Sequence, residues 1–284
     1  MTARNHPTLG GDITIGGDLT VRRMGFGSMR ITGPGIWGPP KDRAGAVKLV
    51  KHVVDSGVTF IDTADSYGPY DSEEIIAEAL SPYADGVVIA TKAGFERPGP
   101  DSWVIDARPE RLRKCVEGSL KRLKLERIDL LQLHRIDPKV PVAESLGALT
   151  ELQREGKIRH IGLSETSVEE YERAKKSATI VSVQNLYNVD DRSAQHMLDA
   201  CERDGIVFLP WFPLGGKGTP DHTALDRIAK HHNATPTQIA LAWLLAKSPA
   251  ILPIPGTSSI KHFDENLAAA EITLTHAELE ELNR

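Results

Sequence analysis

The chain has 284 residues, 40 % of them apolar and 26 % charged, with a formal net charge of −5. That composition suits a globular protein with a large core, and the length fits one α/β barrel of about 250 residues as well as two smaller domains. Acidic and basic residues are mixed along the chain without a basic stripe, which argues against nucleic acid as a partner.

Cys115 and Cys201 are the only cysteines, and they stand far apart without CxxC spacing. Neither a disulfide framework nor a structural zinc is expected, and a reducing compartment is. The opening "MTARNHPTLGGD" has no apolar run of the leader type. The longest apolar run, "IALAWLLA" at 239–246, is far short of the roughly 20 residues of a bilayer span and reads as a core helix. A cytoplasmic protein with no membrane partner is expected.

In chain order, "ITIGGDLTV" comes first and reads as a β-hairpin around a Gly16-Gly17 or Gly17-Asp18 turn. Apolar runs then recur as "RRMGFG", "VTFID", "GVVIATK", "IDLLQLH", "IRHIGLS", "IVSVQN", "IVFLPW" and "AILPIPG". Most are continuous rather than alternating, as parallel strands covered on both faces should be. Helix-like stretches lie between them. In "RLRKCVEGSLKRL", Leu112, Val116, Leu120 and Leu123 recur at three- and four-residue steps and form one stripe. "SLGALTELQREGK" reaches Gly156, a C′ glycine, and "TPTQIALAWLLAKS" opens with Thr235 as N-cap and Pro236 at the first helical position. "ALDRIAKHH" completes the set, with His231 and His232 facing solvent.

Strands alternating with helices in this way predict a single (β/α)8 TIM barrel over residues 1–284, preceded by the hairpin. Two glycine-rich stretches mislead. "GFGSMR" has Arg30 where a dinucleotide fingerprint needs its last glycine. "LGGKG" has Gly218 where a phosphate loop needs serine or threonine, and Trp211 where it needs its first glycine. The irregular stretches "ITGPGIWGPPKD", "AGFERPGPDSWVIDARP" and "PLGGKGTPDHT" all follow strand ends, on the face where barrel sites are built.

Polar residues gather at those strand ends: Asp62, Lys92, His134, Ser164, Gln184 and Asn185, with Tyr67 just beyond Asp62. At this point the chain resembles the aldo-keto reductase superfamily over essentially its whole length. The resemblance rests on "DTADSYG", "TKAG", "DLLQLH", "GKIRHIGLS", "VQNLYN", "PWFPLGG" and "IPGTSS…HFDENLAA" in order. The long "GPGIWGPPKDR" loop looks most like a bacterial subgroup that includes pyridoxal reductases.

The resemblance implies NAD(P)H-dependent reduction of an aldehyde or ketone, with Tyr67 as acid, Lys92 and Asp62 as its tuning pair and His134 as the orienting group. The chemistry is coherent. Hydride addition leaves an alkoxide that needs a proton, an ammonium stabilises phenolate, and a buried ammonium needs a counter-charge. A lowered Tyr67 pKa is therefore expected. Singly, each residue has a structural explanation: a loop cap, a rim charge, a bonded core histidine, a packed tyrosine.

For the cofactor, the resemblance places Trp211 against the nicotinamide and Ser164, Gln184 and, by position, Glu165 at the carboxamide. Glu165 stands where relatives usually have asparagine, and a carboxylate cannot donate to an amide oxygen. Gly27, Ser28, Met29 and Asp62 would lie near the nicotinamide ribose, and Phe212, Pro213, Leu214 and Gly215 along the pyrophosphate. Gly256, Thr257, Ser258 and His262 would meet the adenosine 2′-phosphate at a helix N-terminus, and Glu265 and Asn266 the adenine. Many relatives carry lysine and arginine where this chain has Gly256 and His262. Lys217 and Lys261 are the available substitutes, so NADPH is expected, with NADH possible.

Trp37, Phe95 and Trp103 are expected to wall a pocket for a modest aromatic or heteroaromatic carbonyl such as pyridoxal. Arg30, Arg97 and Arg135 lie near the same rim, and exposed arginines ordinarily just face water. A small carbonyl substrate and a monomer or small homo-oligomer are expected, and no metal site is. Two other functions are weighed. One is a non-catalytic cofactor-binding auxiliary subunit of the kind some relatives form with potassium channels. The other is a Schiff-base lyase using Lys92, which would need that lysine buried without a close carboxylate.

Overall fold

A computed structural model describes residues 9–215 and 223–284. Lys217 and the stretch "GKGTPDH" lie outside the described residues.

The hairpin forms first, Asp12–Ile15 antiparallel to Leu19–Arg22 with Ile15 opposite Leu19. Gly16 and Gly17 take φ of 63° and 84°, conformations that favour glycine, and the Asp18 amide donates to the Ile15 carbonyl at 3.4 Å. The turn is thus centred on Gly16-Gly17, one of the two expected placements.

Seven parallel strands follow in one sheet: β1 (Phe26–Gly27), β2 (Phe60–Asp62), β3 (Val88–Ala93), β4 (Ile128–Leu133), β5 (Ile158–Ser164), β6 (Ile180–Leu186) and β7 (Val207–Trp211), each beside its predecessor. Residues 250–255 close the ring without forming a ladder. The Leu252 amide donates to Phe208 O at 2.9 Å, while Gly25 and Gly27 amides donate to Pro253 O at 2.9 Å and Pro255 O at 3.2 Å. Pro253 and Pro255 have no N–H to return, so the eighth position pairs as little more than a bridge at Ile251. The predicted barrel therefore stands, with a thin closing strand.

Helices cover the outside. They are α1 (Arg43–Asp55), α2 (Asp71–Leu80), α3 (Pro109–Leu123), α4 (Val142–Arg154), α5 (Val168–Ala174), α6 (Gln195–Asp204), α7 (Thr223–His231), α8 (Pro236–Lys247), α9 (Ile260–Ala268) and α10 (His276–Leu282). The α3 stripe is inward: Leu112, Val116 and Leu123 are buried and Leu120 partly so. Thr235 caps α8 through a reciprocal box with Gln238, and Gly156 ends α4 with φ 77°. His232 departs from expectation: its side chain is only 19 % exposed, and both it and His231 bond Glu278 of α10.

Strand side chains alternate sides, so every second residue enters the barrel. The lower inward layer is apolar: Phe60, Val88, Ala90, Leu130, Val207, Leu209 and Leu252 pack against Ile15, Leu19 and Val21 of the hairpin. The hairpin thus plugs the bottom of the barrel with its own apolar face. The stretch after β3, read from sequence as irregular, folds back as a small hairpin, Phe95–Glu96 against Val104–Ile105.

The closing seam is tight. A Cβ on Gly27 would lie 2.6 Å from Ile254 O, and one on Gly256 would lie 2.6 Å from Gly27 O. We expect Gly27→Ala to destabilise the fold by about 1–3 kcal/mol, the usual cost of overpacking against unyielding backbone. Urea denaturation measures it, and an unchanged midpoint would mean the seam is looser than described.

Candidate active site

Two residues further along the inward rows, the barrel interior turns polar. Asp62 follows Phe60, Lys92 follows Ala90, and Gln132 follows Leu130. Lys92 is fully buried and donates to Asp62 Oδ2 at 2.6 Å and to the Thr63 carbonyl at 2.9 Å. The other carboxylate oxygen, Oδ1, accepts from Gln184 Nε2 at 2.8 Å and Gln132 Nε2 at 3.1 Å. Two amides and an ammonium therefore satisfy a carboxylate that is 3 % exposed. Burial works against the Lys92 ammonium, but Asp62 and Tyr67 more than compensate, and its pKa ends above its ordinary value.

Gln132 was not singled out from the sequence. Its signal is a polar residue on the inward parity of an otherwise apolar strand. Gly162 on the neighbouring strand leaves it room, since a Cβ there would lie 3.1 Å from the Gln132 side chain.

The loop after β2 turns back over this floor, with the Tyr67 amide bonded to Ala64 O at 3.2 Å. Tyr67 is 7 % exposed, and its hydroxyl accepts from Lys92 Nζ at 3.2 Å. Burial pushes the phenol above its ordinary 10, outweighing the pull of Lys92. The net direction is the reverse of the lowering expected from sequence, because depth of burial is not written in the spacing.

His134 stands edge-on to Tyr67 with ring centroids 6.0 Å apart, and edge-on to Phe95 at 4.7 Å. Its Nδ1 meets Ser66 Oγ at 3.3 Å. Burial, then the cations Lys92, Arg135 and Arg97, hold its pKa well below 6.5, so the ring is neutral. Asp62, Tyr67, Lys92 and His134 are thus gathered at one place.

Above them opens a cavity of about 580 Å³. Gly27, Met29, Asp62, Ser164, Gln184, Trp211, Phe212, Pro213, Leu214, Gly215 and Gly256 line it, as do Phe95 and Trp103. Arg30 and Arg135, expected near the rim, also line it, and Ile36 and Ile254 join them without having been placed there from sequence. Trp37 is outside this lining, and its ring instead faces Arg97 at 5.4 Å. Ser28 is fully buried and donates to the Asp62 carbonyl at 2.8 Å.

Glu165 also lies outside the lining. Its Oε1 accepts from the Trp211 indole N–H and from the Leu186 amide at 2.7 Å, which fixes the indole plane against the cavity. A second depression continues from Met29 and Arg30 to Ser258 and Lys261 at the start of α9. Thr257 and Asn266 are buried, whereas Glu265 is partly exposed and faces Lys261 at 3.7 Å. His262 is exposed on the first turn of α9, where its amide donates to Ser259 Oγ at 3.4 Å.

Comparison with known proteins agrees with this fold. The profile of the Aldo/keto reductase family matches residues 23–284. The chain is 47 % identical over 260 residues to an uncharacterized oxidoreductase of Schizosaccharomyces pombe, covering 91 % of this chain and 85 % of that one. It is 42 % identical to pyridoxine 4-dehydrogenase of Escherichia coli, covering 94 % of this chain and 96 % of that one. Among solved structures, a thermostable aldo-keto reductase in complex with the inhibitor epalrestat superposes with TM-score 0.86 at 32 % identity, covering 96 % and 98 % of the two chains. An aldo/keto reductase of Klebsiella pneumoniae in complex with NADP and acetate superposes with TM-score 0.83 at 27 % identity, covering 96 % and 94 %.

The Asp62–Lys92 pair sets a stability test. Lys92→Met leaves a buried carboxylate without its cation and should cost about 3–5 kcal/mol. Lys92→Met combined with Asp62→Asn should cost less than Lys92→Met alone. Urea denaturation of the full double-mutant cycle reads this coupling, and simple additivity would show the pair to be energetically idle.

Proposed function

The chain belongs to the aldo/keto reductase family and is an NAD(P)H-dependent oxidoreductase, and on that premise we propose that it reduces a small aromatic or heteroaromatic aldehyde or ketone with NADPH. The observation that carries this reading is Tyr67 held by Lys92 over Asp62, beside a neutral His134 and under an aromatic-walled cavity.

The residues present fit a dinucleotide. Trp211 offers a fixed flat face, and Ser164 and Gln184 stand beside it with polar groups at the cavity wall. Gly27 and Gly256 line the cavity with backbone alone, which leaves a ligand free to approach it closely. Met29 and the run Phe212 to Gly215 would follow the ribose and pyrophosphate. Thr257, Ser258 and His262 would take the 2′-phosphate at the N-terminus of α9, with Lys261 nearby, and Glu265 and Asn266 the adenine. The Gln184 amide donates to Asp62, so its carbonyl oxygen is the group free for a carboxamide. When bound, the dinucleotide supplies the hydride.

The protein's own part is proton transfer and orientation. Neutral His134 carries one ring proton, and in the tautomer that has it on Nε2, with Nδ1 accepting from Ser66, it can hold a carbonyl oxygen. Tyr67, still protonated, donates to the oxygen as negative charge develops there. Lys92 then stabilises the phenolate left behind, and Asp62 keeps Lys92 charged and in place. Phe95 and Trp103 suit a flat, aromatic substrate, and the likeness to a pyridoxine 4-dehydrogenase supports pyridoxal as the first trial. A Schiff-base role for Lys92 is disfavoured, because its close carboxylate and raised pKa keep the amine protonated.

Two measurements test this. Tyr67→Phe should lower turnover roughly 10²-fold or more while leaving NADPH affinity within about twofold. In the unmutated enzyme, kcat for reduction should stay flat from about pH 7 to 9, since Tyr67 is raised above 10 and His134 depressed below 6.5. Retained turnover in Tyr67→Phe would remove the phenol from the acid role. A single turnover, never repeated, would favour an auxiliary subunit.

The dissociation constant for NADPH should lie well below that for NADH, by about tenfold, the scale of one charge-assisted phosphate contact. Equal affinities, measured by fluorescence titration, would assign NADH or dual use.

A further inference from the structure

We propose that Arg97 is a positioning residue that sets the shape of the carbonyl pocket by clamping three separate loops to one guanidinium. The inference rests on the carbonyl-reduction reading. From sequence Arg97 is a rim charge, but the structure leaves it only 8 % exposed.

Its bonds all go to main-chain carbonyls. Nη1 donates to Ser66 O at 2.9 Å and to Ile36 O at 3.2 Å, Nε to Ser102 O at 2.9 Å, and Nη2 to Gly35 O at 3.4 Å. The guanidinium carbon lies 3.6 Å from the centre of the Trp103 ring. Those carbonyls belong to the loops after β1, β2 and β3.

Each bonded carbonyl is at or next to a working part of the pocket. Ile36 lines the cavity itself. Ser66 immediately precedes Tyr67, and its hydroxyl reaches His134 Nδ1. Ser102 immediately precedes Trp103, which Arg97 also covers. Among the described residues Arg97 forms no ion pair, and carbonyl dipoles and an aromatic face meet its charge, with the Asp101 carboxylate favouring it from further off. A planar fork with five donors can satisfy three divergent loops and stack at once, and a point-like ammonium cannot. None of these bonds reaches Ser164, Gln184, Trp211 or Gly256, the residues assigned to the dinucleotide.

The clamp therefore acts directly on the substrate and acid side, and touches the cofactor side only through Gly35 and Ile36, which also border the depression toward Ser258 and Lys261. Arg97→Lys and Arg97→Met should raise KM for an aromatic aldehyde about tenfold or more and lower kcat several-fold, the scale of a small misplacement of reacting groups. The NADPH dissociation constant should stay within about twofold. Hydrogen exchange reads the clamp without any turnover. Amides over 35–38, 66–68 and 99–103 should exchange faster in both variants, while those over 164–166 and 209–215 should not.

Faster exchange confined to 97–104 would overturn the proposal, because Arg97 would then fold only its own hairpin. A parallel fall of cofactor affinity and kcat would overturn it too, as general destabilisation. So would full kinetic rescue by Arg97→Lys, which would reduce the role to charge. If the unmutated protein reduces no carbonyl with NADPH, carbonyl reduction fails while the exchange pattern still decides the clamp.

Discussion

A carboxylate and an ammonium 2.6 Å apart, both sealed from water, organise the upper half of this barrel. Such a pair is costly to bury, so its surroundings must complete its hydrogen bonding. They do so from two strands and one loop: Gln132 and Gln184 on Asp62, the Thr63 carbonyl and Tyr67 on Lys92. Gln132 sits two residues above Leu130 of the apolar plug, Gln184 two above Ser182, and the other partners come from the loop just over them. The hairpin's apolar face closes the barrel below the ion pair, and Tyr67 accepts from Lys92 above it.

The electrostatics of the site follow from this burial. The cation that steadies Tyr67 also helps keep His134 uncharged, so phenol and imidazole are both neutral hydrogen-bond donors in the resting cleft. Asp62 confines the positive charge to the floor. The aromatic walls above carry little charge of their own, with Arg135 and Arg97 held at the margins by carbonyls and ring faces.

Much of this was legible in the chain. Parallel strands are written as continuous apolar runs, and the first polar residue after each run marks the mouth of the barrel, as at Asp62, Lys92 and His134. Other features needed the third dimension. Gln132 was hidden because inward parity inside an apolar run has no local marker. Arg97 was read as a rim charge because nothing in "FERPGPDSW" says that the loop folds into a hairpin over three neighbours. Glu165 occupies a position associated with carboxamide contacts, yet the structure gives it the indole N–H of Trp211, a pairing that depends on how β7 lies beside β6. The direction of the Tyr67 shift is not legible in sequence, which lists the charges near a phenol but not how much water it loses.

The proline-bearing segment that completes the ring has a consequence of a different kind. Toward β1 it presents carbonyls alone, at Pro253 and Pro255, and receives amides from Gly25 and Gly27. Should the ring part there during synthesis or thermal motion, the proline border would be unable to donate to an incoming chain, and the freed donors would all lie on the opposite border, at Gly25 and Gly27. Only one of the two edges so exposed would thus be a poor template for edge-to-edge stacking.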